Sequence, residues 1–357
     1  MLEKERRDQY KTKIKEEFPE SLTIGTQKFK KRISLRYGEN PGYPAAFYQE
    51  EGASGPNMAH IEILQEGKKG LSYINVADMD IGQRLTYKLT EIYKDKLICV
   101  LIKHEMPSGV ALGSDQVETF EKAWKCDSLS NFGSVIVFNY EITRELSTLL
   151  VESLRNVEVV YSPGYAPEAL EVLATRKILR VVKMGESLDK PAHDSGIEFK
   201  RLVGGLLVQK RFDSKIVSPE NLDVVSERKP TQDEIEAAIF NWNVAVYTRS
   251  NAVIIGTKDK VHGIGSGQRS RIDAAKNAIQ FSRRGYGPEG CVMASDAFMP
   301  FPDVVELAAK NGITAIIYPL GSIKDQEVIH KANEFNLAMI ITRKPGEMAS
   351  ERCFLHR

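Results

Sequence analysis

The stretch CVMASDAFMPFPDVVELAAKNGITAIIY, residues 291–318, decides the fold class because it contains a strand, a helix and a second strand in succession. The apolar run at 291–295 is short and uninterrupted, which is typical of a strand covered on both faces. Apolar residues at helical spacing follow, and Asn311-Gly312 ends that helix. A second apolar run at 314–318 predicts the next strand, so the stretch predicts a β-α-β unit.

The same alternation of strands and helices extends in both directions from this unit. Thr231 and Glu234 form a capping-box pattern that opens a long helix ending near Tyr247. We therefore predict an α/β protein with substantially parallel sheets and two related halves. The other predicted strands lie at 96–102, 133–139, 157–161, 178–184, 252–256, 260–265 and 337–342, and the other predicted helices lie at 270–284, 325–335 and within 162–177.

A polar stretch at 185–232, interrupted by the apolar GGLLVQ at 204–209, is predicted to contain the boundary between the halves. Near the N-terminus, Tyr10, Ile14 and Phe18 recur every four residues, which predicts a thin apolar stripe on a short helix. The predicted domains are a charged N-terminal extension at 1–30, a first α/β subdomain at 31–200 and a second at 201–357.

The charge balance excludes several classes of function. The chain of 357 residues has 49 Lys and Arg against 48 Asp and Glu, a net charge of +1, so any basic site must be local, and we predict no nucleic-acid partner. Cys99, Cys126, Cys291 and Cys353 have no paired spacing, which argues against a disulfide framework and a zinc site. No apolar run approaches the roughly 18 residues of a membrane span, and charges rather than a signal peptide follow Met1. These features predict a soluble, cytoplasmic protein with no membrane partner.

The first candidate site is LIKHEMPSG, residues 101–109, where a buried apolar run ends in polar residues. The Lys-His-Glu triplet at 103–105 falls just past the predicted strand, and ligands bind at the carboxyl ends of strands in open α/β sheets. Pro107 and Gly109 are predicted to turn the chain away, which would leave the triplet on the rim of a crevice. A solvated charged loop is the alternative interpretation of these residues alone.

Other loops combine small residues with donors or aromatic rings. Arg36 lies beside a turn in RYGENPGYPAAFY, where a guanidinium could clamp phosphate. GIGSGQRSRI, residues 263–272, has three glycines ahead of a helix start, where a backbone can approach an anion, although its spacing fits neither a dinucleotide fingerprint nor a P-loop. SDAFMPFPD, residues 295–303, could stack aromatic rings on a planar heterocycle, and YPLGSIKDQ, residues 318–326, is a second loop after a strand. An ordinary turn, a ligand-free connection and core aromatic residues are the corresponding alternatives.

The order of these motifs resembles the formyltransferase domain of the bifunctional purine-biosynthesis family, which formylates aminoimidazole carboxamide ribonucleotide (AICAR). The resemblance extends from about residue 32 to the C-terminus. The motifs that carry it are LRYGENP, LSYINVAD, KHEMPSG, SNFGSVIVFN, SPGYAPEALEVL, GGLLVQ, SNAV, GIGSGQRSRI, SDAFMPFPD, GITAII, GSIKDQEVI and RCFLH.

The resemblance implies two cytidine-deaminase-like, three-layer α/β subdomains without the deaminase zinc, whose sequence signature is absent from the chain. It implies transfer of a formyl group from the co-substrate 10-formyltetrahydrofolate to the 5-amino group of AICAR, giving FAICAR in IMP biosynthesis without a metal. It also implies a homodimer with active sites at the subunit interface. Since about 30 residues precede the match, we expect a stand-alone form without the IMP cyclohydrolase domain.

The resemblance also assigns roles to individual residues. His104 would be the proton acceptor, Lys103 would stabilise the tetrahedral intermediate, and Asn251 would orient the imidazole ring of the substrate and His104. Imidazole suits proton transfer near neutral pH, and a fixed ammonium group suits a developing oxyanion. The residues that would contact AICAR are Arg36, Tyr37, Gly133, Glu158, Arg271, Phe298 and Arg352. The residues that would line the folate pocket are Ile272, Asp303, Ser322 and Ile323.

Two alternative functions keep the nucleotide site. One is transfer from a different one-carbon donor, and the other is a non-catalytic nucleotide-binding regulator. Glu105 and Met106 depart from the family pattern, which usually has an Asn-Asn-like pair after Lys-His, and a disabled site would follow if Glu105 blocked it. Retention of Lys103, His104 and Asn251 favours catalysis.

Overall fold

The structure is a computed structural model that describes residues 12–153, 157–188, 197–211 and 214–342. The chain divides into two compact units, each of which is described by itself. The first unit contains Met1–Trp124 and Leu129–His193, and the second contains Lys125–Ser128 and Asp194–Arg357.

The first unit begins with a three-stranded antiparallel sheet and continues into a six-stranded mixed sheet. Its strands are β1 (Ser21–Ile24), β2 (Gln27–Ser34), β3 (Ala46–Glu50), β4 (Glu62–Gln65), β5 (Leu97–Lys103), β6 (Met106–Gly113), β7 (Val135–Phe138), β8 (Glu141–Ile142), β9 (Val159–Ser162), β10 (Gly164–Tyr165) and β11 (Arg180–Lys183). Its helices are α1 (Tyr73–Ile92), α2 (Gln116–Lys125), α3 (Arg144–Ser153) and α4 (Pro167–Ala174).

Three neighbouring strands of the six-stranded sheet are parallel, and their neighbours on either side are antiparallel to them. The sheet order is β4-β11-β9-β7-β5-β6, in which β7, β9 and β11 are parallel, β4 is antiparallel to β11, and β5 is antiparallel to β7. Every residue of β7 and β9 is buried, and α1 packs against β5 and β7. The uninterrupted apolar runs of the sequence thus correspond to strands covered on both faces.

The second unit contains a two-stranded hairpin and a second six-stranded mixed sheet. Its strands are β12 (Ile197–Leu202), β13 (Gly205–Lys210), β14 (Asp223–Val224), β15 (Val253–Gly256), β16 (Val261–Gly265), β17 (Val292–Ser295), β18 (Ala315–Tyr318) and β19 (Ala338–Ile341). Its helices are α5 (Gln232–Val246), α6 (Arg271–Ser282), α7 (Asp303–Lys310) and α8 (Asp325–Glu334).

The two six-stranded sheets have the same topology. The second has the order β14-β19-β18-β17-β15-β16, with β17, β18 and β19 parallel and with β14 and β15 antiparallel to their neighbours β19 and β17. In both units the chain runs through an edge strand, a helix, a hairpin, and then three parallel strands each preceded by a helix. The predicted α/β class is confirmed, although both sheets are mixed and less parallel than the sequence suggests.

The β5–β6 hairpin corrects one sequence prediction. Pro107 and Gly109 do not turn the chain away, because both lie in β6, which pairs antiparallel with β5. β6 is the edge strand of its sheet, where a proline without an N–H is tolerated. A Cβ on Gly109 would lie 2.2 Å from the carbonyl oxygen of Ala123 in α2, so the close approach of this helix requires glycine.

The N-terminal segment also differs from its prediction. The described part of the predicted helical stripe, residues 12–18, contains no helix. Glu16 instead contacts β2, accepting a hydrogen bond from Ser34 at 2.8 Å and forming an ion pair with Lys31 at 3.1 Å. Residues assigned from the sequence to an extension therefore include β1 and part of β2, while Tyr10 lies outside the described residues.

Within the described residues, no helix combines the length and apolar character needed to cross a bilayer. The same residues contain no cluster of three or more His, Cys, Asp or Glu side chains suited to a metal ion. Cys99, Cys126 and Cys291 are buried and form no disulfide with one another, and Cys353 lies outside the described residues.

Candidate active site

The Lys-His pair lies at the tip of the β5–β6 hairpin in the first unit. Lys103 ends β5 and pairs with Met106, the first residue of β6, so His104 and Glu105 form a two-residue turn. The φ angles of His104 and Glu105 are 53° and 59°. A type I′ turn needs positive φ at both positions, where Asn and Gly are usual and most other residues are strained. Since the sequence supplies neither residue, contacts from outside the turn must hold it.

Asp78 of α1 supplies such a contact. Its Oδ1 accepts a hydrogen bond from the N–H of Glu105 at 2.6 Å, and the nearby N–H of His104 also favours the ionised carboxylate. Only 2% of Asp78 is exposed. Burial raises the pKa of the Asp78 carboxyl to about 7; the charges of Glu105 and Glu158 act in the same direction, and the two N–H donors oppose them.

Lys103 is held beside the loop that precedes β7. Its Nζ donates hydrogen bonds to the carbonyl oxygens of Ser130 and Phe132, both at 2.8 Å, and lies 3.7 Å from the centroid of the Phe132 ring. Gly133, the next residue, has a φ of 76°, which glycine adopts without strain. The ammonium group and the predicted substrate contact at Gly133 are therefore neighbours.

Two buried arginines share one carboxylate in the same unit. Arg36 and Arg180 are 5% and 4% exposed, and their guanidinium nitrogens lie 3.8 Å and 3.6 Å from Glu158 Oε2. Asn75 Nδ2 donates to the same oxygen at 2.9 Å, and one guanidinium nitrogen of Arg36 donates to the Tyr37 hydroxyl at 3.0 Å. Arg36 Nε is buried and has no hydrogen-bond partner among the described residues. Two cations facing one anion leave a positive charge that suits an anionic ligand.

These groups lie at one edge of the first sheet. Gly133 and Glu158 come just before the parallel strands β7 and β9, and Arg180 begins β11. Lys103 ends β5, which is antiparallel to β7, so it reaches the same edge. The sequence prediction placed the Lys-His pair where parallel strands end, but this is the edge at which they begin. The difference arises because β5 belongs to an antiparallel hairpin.

In the second unit, Asn251 and Arg271 are in direct contact. Arg271, the first residue of α6, donates to Asn251 Oδ1 at 2.8 Å and to Ser295 Oγ at 2.9 Å, and it forms an ion pair with the fully buried Asp296. Asn251 Nδ2 donates to the Gln268 carbonyl oxygen at 2.9 Å. The charge of Arg271 is thus already paired, which suits a role in orienting polar groups rather than in neutralising a free anion.

The glycines of GIGSGQRSRI have a structural reason that the sequence prediction missed. A Cβ on Gly263 would lie 2.1 Å from the Ala278 carbonyl oxygen, and one on Gly265 would lie 1.9 Å from that of Ala274. Both glycines therefore let α6 pack closely on β16. The helix start is capped by Ser270, whose side chain accepts the Asp273 N–H at 3.2 Å. A close approach of this backbone to a ligand, as the sequence suggested, is therefore not needed to explain Gly263 and Gly265.

Three of the four predicted folate residues, Asp303, Ser322 and Ile323, follow two neighbouring strands, and the fourth, Ile272, is the second residue of α6. Phe298 and Phe301 follow β17, Asp303 begins α7, and Ser322 and Ile323 follow β18, which is parallel to β17. Lys324 Nζ lies 5.3 Å from the centroid of the Phe301 ring, so the two loops touch. The N–H groups of Gly321 and Ser322 donate to Asp325 Oδ2 at 2.8 Å and 3.2 Å, which shapes the second loop. Phe301 and Ile323 are exposed, whereas Ile272 packs partly against the core of the unit.

Asp78, Asn75, Arg180 and Asp296 belong to these clusters and were not assigned roles from the sequence. Asn75 and Asp78 lie one turn apart on the buried side of α1, and polar residues on a buried face are the signal that would have found them. Arg180 is buried beside Val181 and Val182 of the same strand and gives a similar signal. Arg352, predicted to contact the nucleotide, lies outside the described residues.

The chain is thus a two-unit α/β protein. Its first unit has a Lys-His turn and a buried arginine pair at the same edge of its sheet. Residues 4–281 match the family described as the AICARFT/IMPCHase bienzyme. Over 328 residues, 92% of this chain, the sequence is 40% identical to the bifunctional purine biosynthesis protein PurH of Sorangium cellulosum (strain So ce56), and the match spans 60% of that relative's length. The chain belongs to the AICARFT/IMPCHase bienzyme family, which confirms the family predicted from the ordered motifs.

Proposed function

We propose that the chain is a phosphoribosylaminoimidazolecarboxamide formyltransferase, which moves the formyl group of 10-formyltetrahydrofolate to the 5-amino group of AICAR and so makes FAICAR for IMP biosynthesis. One observation carries the proposal: in a chain of this family, the Lys103–His104 turn and the buried arginine pair share one sheet edge. The name of the PurH relative supports the same reaction. No metal takes part in the proposed reaction. Family membership favours catalysis over the regulator alternative.

The proposed chemistry joins a weakly nucleophilic amine to a formyl carbon. The 5-amino nitrogen attacks that carbon, a C–N bond forms, and the carbonyl oxygen becomes an oxyanion. His104 accepts the proton from the attacking nitrogen, and the Lys103 ammonium stabilises the oxyanion. The bond between the carbon and N10 of the folate then breaks, and N10 receives the proton from His104. FAICAR and tetrahydrofolate are the products.

The residues proposed to bind the nucleotide belong to the charged and polar clusters described above for each unit. Arg36 has an unpartnered buried Nε and lies beside Tyr37 and Glu158, which supports a role in binding an anionic substrate. Asn251 and Arg271 are proposed to orient the imidazole carboxamide. The remaining proposed contacts with AICAR are Gly133, Phe298 and Arg352.

The folate is proposed to bind at the loops after β17 and β18. The exposed Phe301 ring supports this assignment, because pterin rings are planar and stack on aromatic faces. Asp303 would accept hydrogen bonds from the pterin, and Ile272, Ser322 and Ile323 would line the pocket. A one-carbon donor without a pterin ring, such as formyl phosphate, would not need a carboxylate at this place.

We further propose that both units have the cytidine-deaminase-like three-layer fold, with subdomains at 31–200 and 201–357. The topology that the two sheets share supports a common fold for both. The cytoplasmic location predicted from the sequence stays a prediction.

The chain is also proposed to form a homodimer with active sites at the subunit interface. The β12–β13 hairpin supports this proposal. One of its faces contains Ile197, Phe199, Leu206 and Val208 between the charged residues Arg201 and Lys210, and Val208 is 58% exposed. A two-stranded hairpin is marginally stable alone, so the apolar side chains in the middle of this face support contact with a second copy.

A coupled spectroscopic assay tests the proposed activity. Purified chain, AICAR and 10-formyltetrahydrofolate should yield tetrahydrofolate and FAICAR in equal amounts, and leaving out AICAR should stop folate turnover. Formyl phosphate in place of the folate is the matched control for the donor. Turnover with formyl phosphate alone would replace the proposed donor, and AICAR binding without turnover on either donor would support the regulator.

A further inference from the structure

We propose that Asp78 is a positioning residue for His104, because its buried carboxylate accepts the N–H of Glu105, the other residue of the His104–Glu105 turn, and thereby fixes where the imidazole stands. The inference rests on the proposed function, since it takes His104 as the proton acceptor. Asp78 itself would touch neither substrate.

Contacts from outside the turn are needed to keep it in its positive-φ conformation. His104 and Glu105 both have positive φ, although neither has the short side chain or the missing Cβ that makes this conformation easy. Strained turns of this kind persist only where surrounding structure over-determines them. Strand pairing between Lys103 and Met106 fixes the two ends of the turn, and the Asp78 carboxylate accepts the N–H of Glu105 between them.

The helix that carries Asp78 is a rigid support. A Cβ on Gly82, one turn further along α1, would lie 2.5 Å from Val137 Cγ2, so the helix is pressed against β7. One turn earlier, Asn75 donates to Glu158 at 2.9 Å. A single buried face of α1 therefore holds both the turn with the proposed base and the carboxylate shared by the arginine pair. A shift of this helix would move both together.

The charges around Asp78 make the contact depend on pH. The charged groups that act on it are Glu105, from the turn, and Glu158, which precedes β9, while His104 lies in the same turn. Burial, the largest cause, raises the pKa of Asp78 to about 7. The ionised carboxylate is only an acceptor, whereas the neutral carboxyl carries its own O–H donor. Raising the pH through about 7 therefore strengthens the hold on the turn.

The first experiment compares Asp78→Asn with Asp80→Asn. Asp80 lies on the same helix, is more exposed and contacts Arg84 instead of the hairpin. Asp78→Asn should lower kcat by about 10- to 100-fold, since small misplacements of reacting groups cost rates of this order. The Kd for AICAR should change little, and the Glu105 amide should exchange its hydrogen faster. Asp80→Asn should change none of these. Unchanged exchange at Glu105 in Asp78→Asn would overturn the proposal.

A second substitution separates positioning from general stability. Adding Glu105→Gly to Asp78→Asn should recover part of the lost kcat, because glycine adopts positive φ without strain. A carboxylate that only stabilised α1 would give no recovery, and the same kcat in the double and the single variant would count against positioning.

A third measurement uses the unaltered chain, so its result does not depend on whether the variants fold. The carboxyl ¹³C shift of Asp78 and the amide shift of Glu105 should titrate together with a midpoint near pH 7. If the amide shift of Glu105 does not change as the Asp78 carboxyl titrates, the proposal is overturned, whether or not formyl transfer is found. Absence of formyl transfer with a coupled titration would instead reject only the proposed function.

Discussion

His104 is constrained through its backbone, and this matters for the proposed chemistry. A base that is already in place when the substrate binds needs no reorganisation in the transition state. The strand pair β5–β6 fixes the ends of the turn, and the buried carboxylate of Asp78 fixes the Glu105 amide. The free energy needed to form the strained turn is therefore supplied when the chain folds, and not during each catalytic cycle.

Replacement of the proposed base is the most direct prediction at this scale. His104→Ala should lower kcat by about 10²- to 10⁴-fold, because this is the usual contribution of a general base. Nucleotide affinity should fall far less, since the arginine pair does not depend on the imidazole. His330→Ala is the matched control, because His330 is exposed on α8 and pairs with Glu334. Steady-state rates and calorimetric titration with AICAR check both expectations, and a near-normal kcat for His104→Ala would remove His104 from the mechanism.

Substitution of Asp303 tests whether the one-carbon donor is the proposed folate. Asp303→Ala should weaken folate binding by roughly 10- to 100-fold, since hydrogen bonds to a charged group contribute about 1.5–3 kcal/mol and 1.4 kcal/mol is a factor of ten. AICAR affinity should hardly change. Glu306→Ala, one turn along α7, removes a carboxylate that pairs with Lys310 and serves as control. Calorimetric titration of both ligands decides, and equal losses for folate and AICAR would contradict the pocket assignment.

Single residues show where sequence reasoning reaches its limit. The Lys-His pair could be found because polar residues follow an apolar run directly in the chain. Asp78 could not be assigned its contact, because the turn that it holds lies in a different part of the chain. Arg180 was missed for the same reason, since Glu158 and Arg36 meet it only once the strands are paired. None of these pairings leaves a local pattern.

Among the elements, α5 has the clearest determinants of its position. Thr231 and Glu234 form the predicted capping box, and Glu234 also receives two hydrogen bonds from Arg228, whose guanidinium donates to the Thr314 carbonyl oxygen as well. Burial by itself would favour the neutral form of Glu234, but the bonds from Arg228, Thr314 and the Thr231 N–H outweigh it and lower its pKa to about 2. The cap therefore also ties the helix to the strand β18.

This pKa makes the stability of the second unit depend on pH in a defined direction. A carboxyl whose pKa is lower in the folded chain stabilises it above the unfolded value, 4.5, and loses this effect as pH falls towards about 2. Glu234→Gln should lower the free energy of unfolding at pH 7 by about 1–3 kcal/mol. Denaturant titrations at pH 7 and pH 3 check this, and the difference from the unaltered chain should be smaller at pH 3. Glu236→Gln, on the exposed side of the same helix, should show neither effect.

Element boundaries were predicted well wherever local chemistry sets them. The cap at Thr231, the Asn311-Gly312 stop and the short apolar strands all follow from neighbouring residues. β6 was not predicted, because Met106-Pro107-Ser108-Gly109 has the composition of a turn. Its extended form depends on pairing with β5 and on the close approach of α2 at Gly109, both of which are non-local.

On the scale of the whole molecule, two units share one sheet topology, and the residues proposed for binding and catalysis lie at opposite edges of the two sheets. In the first unit the short strands β8 and β10 pair with each other directly after β7 and β9, so the loops at the carboxyl edge are tied together. The cluster with Lys103 and Glu158 forms at the other edge. In the second unit the corresponding loops after β17 and β18 contain the exposed Phe301 and Ile323 instead. A shared fold therefore leaves the location of the chemistry to the loops.

The proposed dimer gives the last prediction. Val208 lies opposite Phe199 in the middle of one face of the β12–β13 hairpin, and Gln209 lies on the other face, opposite Glu198. Val208→Lys places a charge in the proposed interface, so it should shift the chain towards monomer in light scattering after size exclusion. If active sites lie at that interface, turnover should fall with the dimer fraction and recover at high protein concentration. Gln209→Lys adds the same charge one residue away and should leave both unchanged. A dimer that withstands Val208→Lys would place the interface on a different surface of the chain.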